Sequence, residues 1–309
     1  HTLGKQSRVI ILNRLDFRNR AESESTKKGY DKAFKKFDLY MTDKRINEPL
    51  FFEMIEESTT ARKYDILQGL IDHIKGSVSP RVARGYFETL FMYFILCDLP
   101  LDYGQKRIRL KLPRVSQRRF EGLDRSKIES LMRLEGSLLH RSYYSLLYGG
   151  GLRETEALRV TPSMFEFSSV TRLRLPAEIT KFNIERETMI APIPANRIKE
   201  YIELNDFRNN DLIFLKEWKD ETDLIPFEIH FSKLRTKAGL DTINRIKHQQ
   251  NDITLHSFRS FFITTLTDHD LESFAHAMTG HSKYMDTYYR NSTDKRIEIF
   301  SKVAEFVNF

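Results

Sequence analysis

Four short stretches in the second half of the chain hold the residue types that phosphate chemistry requires. The first is Gly151-Leu152-Arg153-Glu154-Thr155-Glu156, and the second is Lys181, set between two stretches of alternating, β-branched character. The third is Leu255-His256-Ser257-Phe258-Arg259. The fourth is Thr279-Gly280-His281, followed seven positions after His281 by Tyr288-Tyr289. A phosphodiester under attack gathers extra negative charge on its non-bridging oxygens, so fixed cations must stand where that charge develops. Arginine suits this task because its guanidinium is planar, permanently charged and able to grip phosphate bidentately. His256 and Arg259 are three positions apart and share one face of a helix. A tyrosine phenol, with an ordinary pKa near ~10, becomes a nucleophile at neutral pH only beside a base or in strongly cationic surroundings. Each stretch alone has an ordinary reading: an arginine after glycine, a lysine solvated in a turn.

The elements that must position these residues follow from periodicity. Residues 1–20 are basic and irregular, with Lys5, Arg8, Arg14, Arg18 and Arg20, and read as an arm. A helix starts near Ser25 or Thr26, good N-cap residues, and Tyr30, Phe34, Phe37 and Tyr40/Met41 recur at helical spacing. Further helices are expected around 49–57, 59–75 and 79–98, with Pro80 in a first turn. No strand pattern precedes residue 105, so residues 21–104 read as an all-helical domain. Residues 105–121 read as a basic linker, and the catalytic candidates fall in a domain over 122–309. There the pattern predicts a buried helix over 140–148, broken by Gly149-Gly150-Gly151. Antiparallel strands are expected over 170–176 and 187–194, and helices over 195–204, 226–238, 256–268, 271–278, around 284–290 and 295–307. The fold class expected is α+β, mostly helical: an all-α domain followed by a mixed helical domain with a small antiparallel sheet.

Composition sets outer limits. The chain has 309 residues, 40% of them apolar, enough for two cores. Lys and Arg outnumber Asp and Glu by 50 to 43, giving a net charge of +7 and a pI near 9.3, which suits a polyanionic partner. The linker stretch carries Lys106, Arg107, Arg109, Lys111, Arg114, Arg118 and Arg119, which read either as a solvated spacer or as contacts to a phosphate backbone. The lone Cys97 excludes a disulfide within the chain and points to a reducing compartment. It lies in the run Phe91–Cys97, the longest apolar run, far below the ~20 residues of a membrane helix. No metal site is expected, since the histidines form no HExxH pattern and no cysteines pair.

Together, and in this order, the four stretches resemble the tyrosine recombinases, or phage integrase family. Its catalytic domain runs Gly-Leu-Arg-x-x-Glu, a Lys in a β-hairpin, His-x-x-Arg, Gly-His and then Tyr. Arg153 with Glu156, Lys181, His256 with Arg259, Gly280 with His281, and Tyr288 stand at those positions, and Arg186 fits the hairpin pattern. The interval from His281 to Tyr288 is seven where nine is commoner, and Tyr289 is the alternative nucleophile. Tyr288 is favoured because Arg290 and Asn291 follow it in a familial register. Lys199 and Lys216 are rivals of Lys181.

The resemblance implies an enzyme that cleaves and rejoins double-stranded DNA at specific sites through a 3′-phosphotyrosyl bond, without cofactors. Arg153, Arg259 and His281 would hold the scissile phosphate, His256 would act as base, Lys181 would protonate the leaving 5′-hydroxyl, and Glu156 would orient the Arg or His groups. The resemblance also implies a core-binding domain ahead of the catalytic one, a monomer in free solution that forms a homo-tetramer on paired sites, an accessory DNA-bending protein, and a cytoplasmic, nucleoid-associated location with no membrane partner. The rival readings are a type IB topoisomerase and a non-catalytic DNA-binding protein of the same fold. The terminal stretch 295–307 carries an apolar stripe with two open readings: closing its own domain, or docking on a neighbouring protomer.

Overall fold

A computed structural model describes residues 13–115, 122–241, 251–281 and 290–309. The chain divides into two compact units, His1–Arg118 and Arg119–Phe309.

Among the described residues of the N-terminal unit six helices follow one another: α1 (Arg14–Asn19), α2 (Glu24–Lys44), α3 (Glu48–Glu57), α4 (Thr60–Lys75), α5 (Pro80–Leu96) and α6 (Tyr103–Arg109). Each begins at a polar side chain that accepts a free backbone N–H of the first turn: Asn13, Ser23, Asn47, Thr59, Ser79 and Asp102. The core they enclose is largely aromatic. Phe37, Phe51 and Phe94 meet at centroid distances of 4.9–5.3 Å, and Phe17, Phe34 and Tyr93 form a second edge-to-face cluster.

Two expectations are corrected here. Residues 14–19 are not part of an irregular arm. Phe17 is buried against Tyr30, Phe34 and Tyr93, and the flanking arginines pair within the unit, Arg14 with Asp38 and Glu48, Arg18 with Asp31. Nor is the stretch from residue 105 simply a linker. Asp102 caps α6, Leu110 enters the core, and the Lys111 N–H donates to Gln68 Oε1 at 2.8 Å. Lys106 is buried, paired with Glu88 and laid over the rings of Phe91 and Tyr103, so it is a structural cation rather than a phosphate contact. Arg107, Arg109, Lys111 and Arg114 are exposed, while Arg118 and Arg119 lie outside the described residues.

The C-terminal unit wraps helices around α8 (Leu138–Gly150), which packs on α10 (Pro192–Leu204) and α12 (His256–Thr267). Among the described residues the remaining helices are α7 (Arg125–Leu134), α9 (Glu154–Ala157), α11 (Ile225–Lys237), α13 (Glu272–Met278) and α14 (Thr293–Ser301). An antiparallel sheet of order β1-β2-β3 joins β1 (Phe165–Glu166), β2 (Thr171–Leu175) and β3 (Arg186–Ile190), with Leu173 opposite Thr188. β3 is buried on both faces, which explains why its sequence reads less clearly as alternating than that of β2.

The three glycines do not break α8 where expected. The helix runs through Gly150 and ends at Gly151, whose φ is +66°. A Cβ on Gly149 would stand 2.8 Å from Pro194, and one on Gly151 2.5 Å from Phe262, so these glycines allow α10 and α12 to approach. After α14 the chain makes a short 3-10 turn, Ala304–Val307. Phe300, Val303, Ala304, Val307 and Phe309 all enter the core of this unit. Tyr148 and Arg197 donate to the Phe309 carbonyl, and Asn308 accepts the Ile193 N–H at 2.7 Å. The tail therefore packs into the core of its own unit, as the first of the two readings expects. The expected helix around 284–290 falls almost wholly outside the described residues.

Candidate active site

The α8–α9 junction places the first arginine. Gly151 turns the chain, and Arg153 takes the N-cap position of α9. Its backbone N–H donates to Glu156 Oε2 at 2.9 Å and its guanidinium to Glu156 Oε1 at 2.7 Å. Glu156 is only 1% exposed and also receives Arg186, the first residue of β3, at 2.5 Å. Burial alone would raise the Glu156 carboxyl, but Arg186 and Arg153 together hold it below its usual range. Arg186 further donates to the Met278 carbonyl at the end of α13 at 2.6 Å.

From the other side, Arg259 in the first turn of α12 donates to the carbonyls of Gly151 and Thr279 at 2.6 and 2.5 Å. These bonds tie three elements distant in sequence into one cationic cluster: Arg153, Arg186 and Arg259. Burial, then the charges of Arg153 and Arg186, push Arg259 down to about 9, while Glu156 and Glu154 pull the other way. A cluster of that kind is built to receive an anion.

His281 joins the cluster through the turn that ends α13. Gly280 has φ +82°, and a Cβ there would lie 2.9 Å from Arg186 Cδ, so glycine lets this turn cross the arginines. Burial, then His276 and the three arginines, lowers the pKa of His281 and keeps it neutral near pH 7. His256 is 60% exposed, with Nδ1 3.3 Å from Glu154 Oε1. Glu154 is itself fixed by its place in α9, where its carbonyl accepts the Tyr143 hydroxyl at 3.1 Å. Lys181 is exposed in the turn between β2 and β3. The Phe182 ring lies 5.7 Å from Lys181 Nζ and 5.4 Å from Arg153 Cζ, in reach of both cations. Arg153, Glu156, Arg259, His281 and, at the rim, His256 thus converge, and Lys181 approaches through Phe182. Tyr288 and Tyr289 lie outside the described residues.

Sequence reasoning credited Glu156 with orienting either arginines or histidines; it holds the arginines, and Glu154, which was overlooked, holds His256. His276, beside His281, was also missed. Among the described residues, one trio has metal-ligand types close together: Glu135, His140 and His230. The two imidazoles lie parallel, 3.5 Å apart with 6° between planes. No single ion can lie in both planes, where the nitrogen lone pairs point, so the trio is better described as a His230–Glu135 pair at 2.7 Å with a stacked second ring.

A model of the phage integrase family matches residues 122–296. The chain belongs to the phage integrase family. Its members are tyrosine recombinases, DNA strand-transferring enzymes that act at specific sites, and this chain is one of them. Among solved structures, the fold is similar to XerH site-specific recombinase bound to a palindromic difH substrate, with TM-score 0.61 and 16% identity over 94% of this chain and 87% of that one. It is similar to a lambda integrase dimer bound to a COC′ core site, with TM-score 0.61 and 16% identity over 90% and 75%. The integrase of transposon Tn1549, in complex with transposon right-end DNA, gives 0.57 and 15% over 94% and 97%. At these identities the likeness is one of fold. No curated protein sequence matches the chain. Among the described residues, no helix of this recombinase is long and apolar enough to cross a membrane.

Proposed function

We propose that this recombinase cleaves double-stranded DNA at a specific site by attack of Tyr288 on a phosphate seated on Arg153 and Arg259. The observation that carries the reading is the arginine cluster itself, with Arg153 and Arg186 held by Glu156 and Arg259 held by the carbonyls of Gly151 and Thr279. A phosphate seated there would meet fixed cations where negative charge develops as phosphorus becomes five-coordinate. Arg153 and Arg259 grip the non-bridging oxygens, and His281 donates to one of them. Arg186 acts through Glu156, fixing Arg153. His256, oriented by Glu154, takes the phenol proton or stabilises its departure. Lys181 delivers a proton to the departing 5′-oxygen. The product is a 3′-phosphotyrosyl enzyme and a free 5′-hydroxyl, and reversing the step rejoins a strand without ATP.

The N-terminal unit serves as the core-binding domain, and Arg107, Arg109, Lys111 and Arg114 are its proposed backbone contacts beside the domain boundary. Two duplex sites would be brought together by four protomers, as in the lambda integrase tetramer bound to a Holliday junction. The free protein would be a monomer, aided by an accessory DNA-bending protein and acting in the cytoplasm at the nucleoid.

The test uses nicked duplexes covering the sequences that flank the gene. Wild type becomes covalently trapped on one of them, and Tyr288→Phe binds it but is not trapped. Trapping by Tyr288→Phe but not by Tyr289→Phe would move the nucleophile by one position. Relaxation of supercoiled plasmid with no paired site would favour a topoisomerase.

A further inference from the structure

An aromatic ring stands open to solvent beside the arginine cluster, on a turn that is tied at its base. The Asn183 N–H donates to the Thr180 carbonyl at 3.3 Å, so Thr180–Asn183 forms a β-turn with Lys181 and Phe182 as its central residues. Asn183 closes the turn at φ +51°. Thr180 is buried; its hydroxyl accepts the Ile184 N–H at 3.0 Å and lies 3.0 Å from the carbonyls of Ala177 and Ile184. Phe182 belongs to neither hydrophobic core and is 58% exposed.

A single exposed apolar side chain is common and signifies nothing alone. The surroundings of this one point to a ligand. Its ring is in cation–π reach of both Arg153 and Lys181, at 5.4 and 5.7 Å. Phenylalanine has no donor or acceptor, so it cannot hold a phosphate; what it can receive is an apolar surface attached to that phosphate. In the reading above, Arg153 grips the scissile phosphate and Lys181 protonates the departing 5′-oxygen. The group joined to that oxygen is the deoxyribose of the leaving nucleotide. In a duplex the faces of its base are covered by stacking, whereas the C–H edge of the sugar is open to the groove.

We propose that Phe182 packs on the deoxyribose of the leaving nucleotide and so keeps the free 5′-hydroxyl end in place for rejoining. Before cleavage that nucleotide is fixed by its bond to phosphorus. Afterwards the bond is gone, and base pairing and the Phe182 ring hold the end at the site. The inference rests on the strand-cleavage reading. A contact made equally before and after the transition state appears in affinity for the end more than in the maximal rate.

The test starts from the covalent complex trapped on a nicked duplex. Strands that carry a 5′-hydroxyl and pair with the exposed template are added, and rejoining is followed against strand concentration. Phe182→Ala should raise the half-saturating concentration about tenfold, the order expected for burying half of an aromatic side chain, and lower the maximal rate much less. Phe182→Leu should recover part of the affinity and Phe182→Tyr most of it. The thermal transition of the C-terminal unit should not move, since the ring lies outside its core. The Phe182→Ala penalty should persist on a strand whose terminal base is replaced by an abasic analogue, because the sugar remains. An unchanged half-saturating concentration, or a loss confined to the maximal rate, overturns the proposal. Disappearance of the penalty on the abasic strand also overturns it, by moving the ring from sugar to base. If wild type is trapped on no duplex, the cleavage reading fails, and binding to the nicked duplex then decides the contact: weaker binding by Phe182→Ala keeps it and equal affinity removes it.

Discussion

The two units use charge in opposite ways. In the N-terminal unit the interior is aromatic and aliphatic, and among the described residues only Lys106 of the buried polar and charged side chains belongs to it. Its other ionic groups meet at the surface, as with Arg14–Asp38 and Lys75–Asp72. The C-terminal unit buries Glu156, Arg186, Glu187, Arg235, Arg259 and Arg296. Buried charge is costly unless matched, and at the α8–α9 junction one carboxylate, Glu156, takes both Arg153 and Arg186. A unit that only has to fold and present a basic surface can do so with caps and apolar faces. A unit that draws several guanidinium groups together inside needs a larger, better-tied core to support them.

That contrast can be broken most severely at the tail. Deleting residues 295–309 removes Phe300, Val303, Ala304, Val307 and Phe309 from the second core. At ~1.5–3 kcal/mol for each of the four larger side chains, this approaches the whole ~5–15 kcal/mol of a typical domain. The truncated protein should lose the thermal transition of the C-terminal unit and keep that of the N-terminal one; a folded C-terminal unit would return the tail to docking in trans. Next in size is Glu156→Gln, which leaves buried arginines facing one another and should cost on the order of 3–5 kcal/mol. Sulfate or phosphate should restore part of that loss in a denaturant titration. The matching change in the other unit, Lys106→Met, replaces a buried cation with an apolar chain and leaves Glu88, 41% exposed, to water. It should move stability by about 1 kcal/mol or less and leave DNA affinity unchanged. Arg153→Lys should barely alter stability by comparison, yet slow cleavage by at least ~10², since a point charge replaces a fork. Near-normal trapping would remove Arg153 from the phosphate.

The same contrast marks what was legible in the sequence. Helices with an N-cap and a clean stripe, such as α2, α4 and α5, are readable because cap and periodicity agree. The order of Arg153, His256, Arg259 and His281 is readable because each sits in a short motif at a helix start or a glycine turn. What was not legible depends on distant contacts. Lys106 looks like every other basic residue of its stretch until Glu88 and Phe91 close over it. Gly149 and Gly150 look like a break until Pro194 and Ile190 fill the space. Glu154 differs from Glu156 only in which neighbour the turn of α9 gives it. The nearest usable signal for His276 was its spacing from Gly280 and His281, which a Schellman reading of His-Ala-Met-Thr-Gly-His would have supplied.

The smallest effect concerns a histidine outside the site. Burial, and then the neighbouring His230, depress His140 to about 4, while Glu135 pulls the other way. The unfolded chain takes up this proton near ~6.5, so between the two values the unfolded state binds more protons than the folded one. Stability of the C-terminal unit must therefore fall as pH drops through that window, and the slope from this group ends near pH 4, where both states are protonated. Between pH 7 and 5.5 the loss from His140 is roughly 1 kcal/mol. No such histidine is buried in the N-terminal unit among the described residues, where His73 lies against the Tyr40 ring at the edge of its core. Urea titrations at pH 7 and 5.5 should show the C-terminal transition shifting and the N-terminal one moving less. His140→Phe, which keeps the stack on His230 and has nothing to titrate, should flatten the difference. If the pH sensitivity survives that change, the responsible proton lies elsewhere, and His281, whose pKa is also lowered by burial and by His276, becomes the group to test.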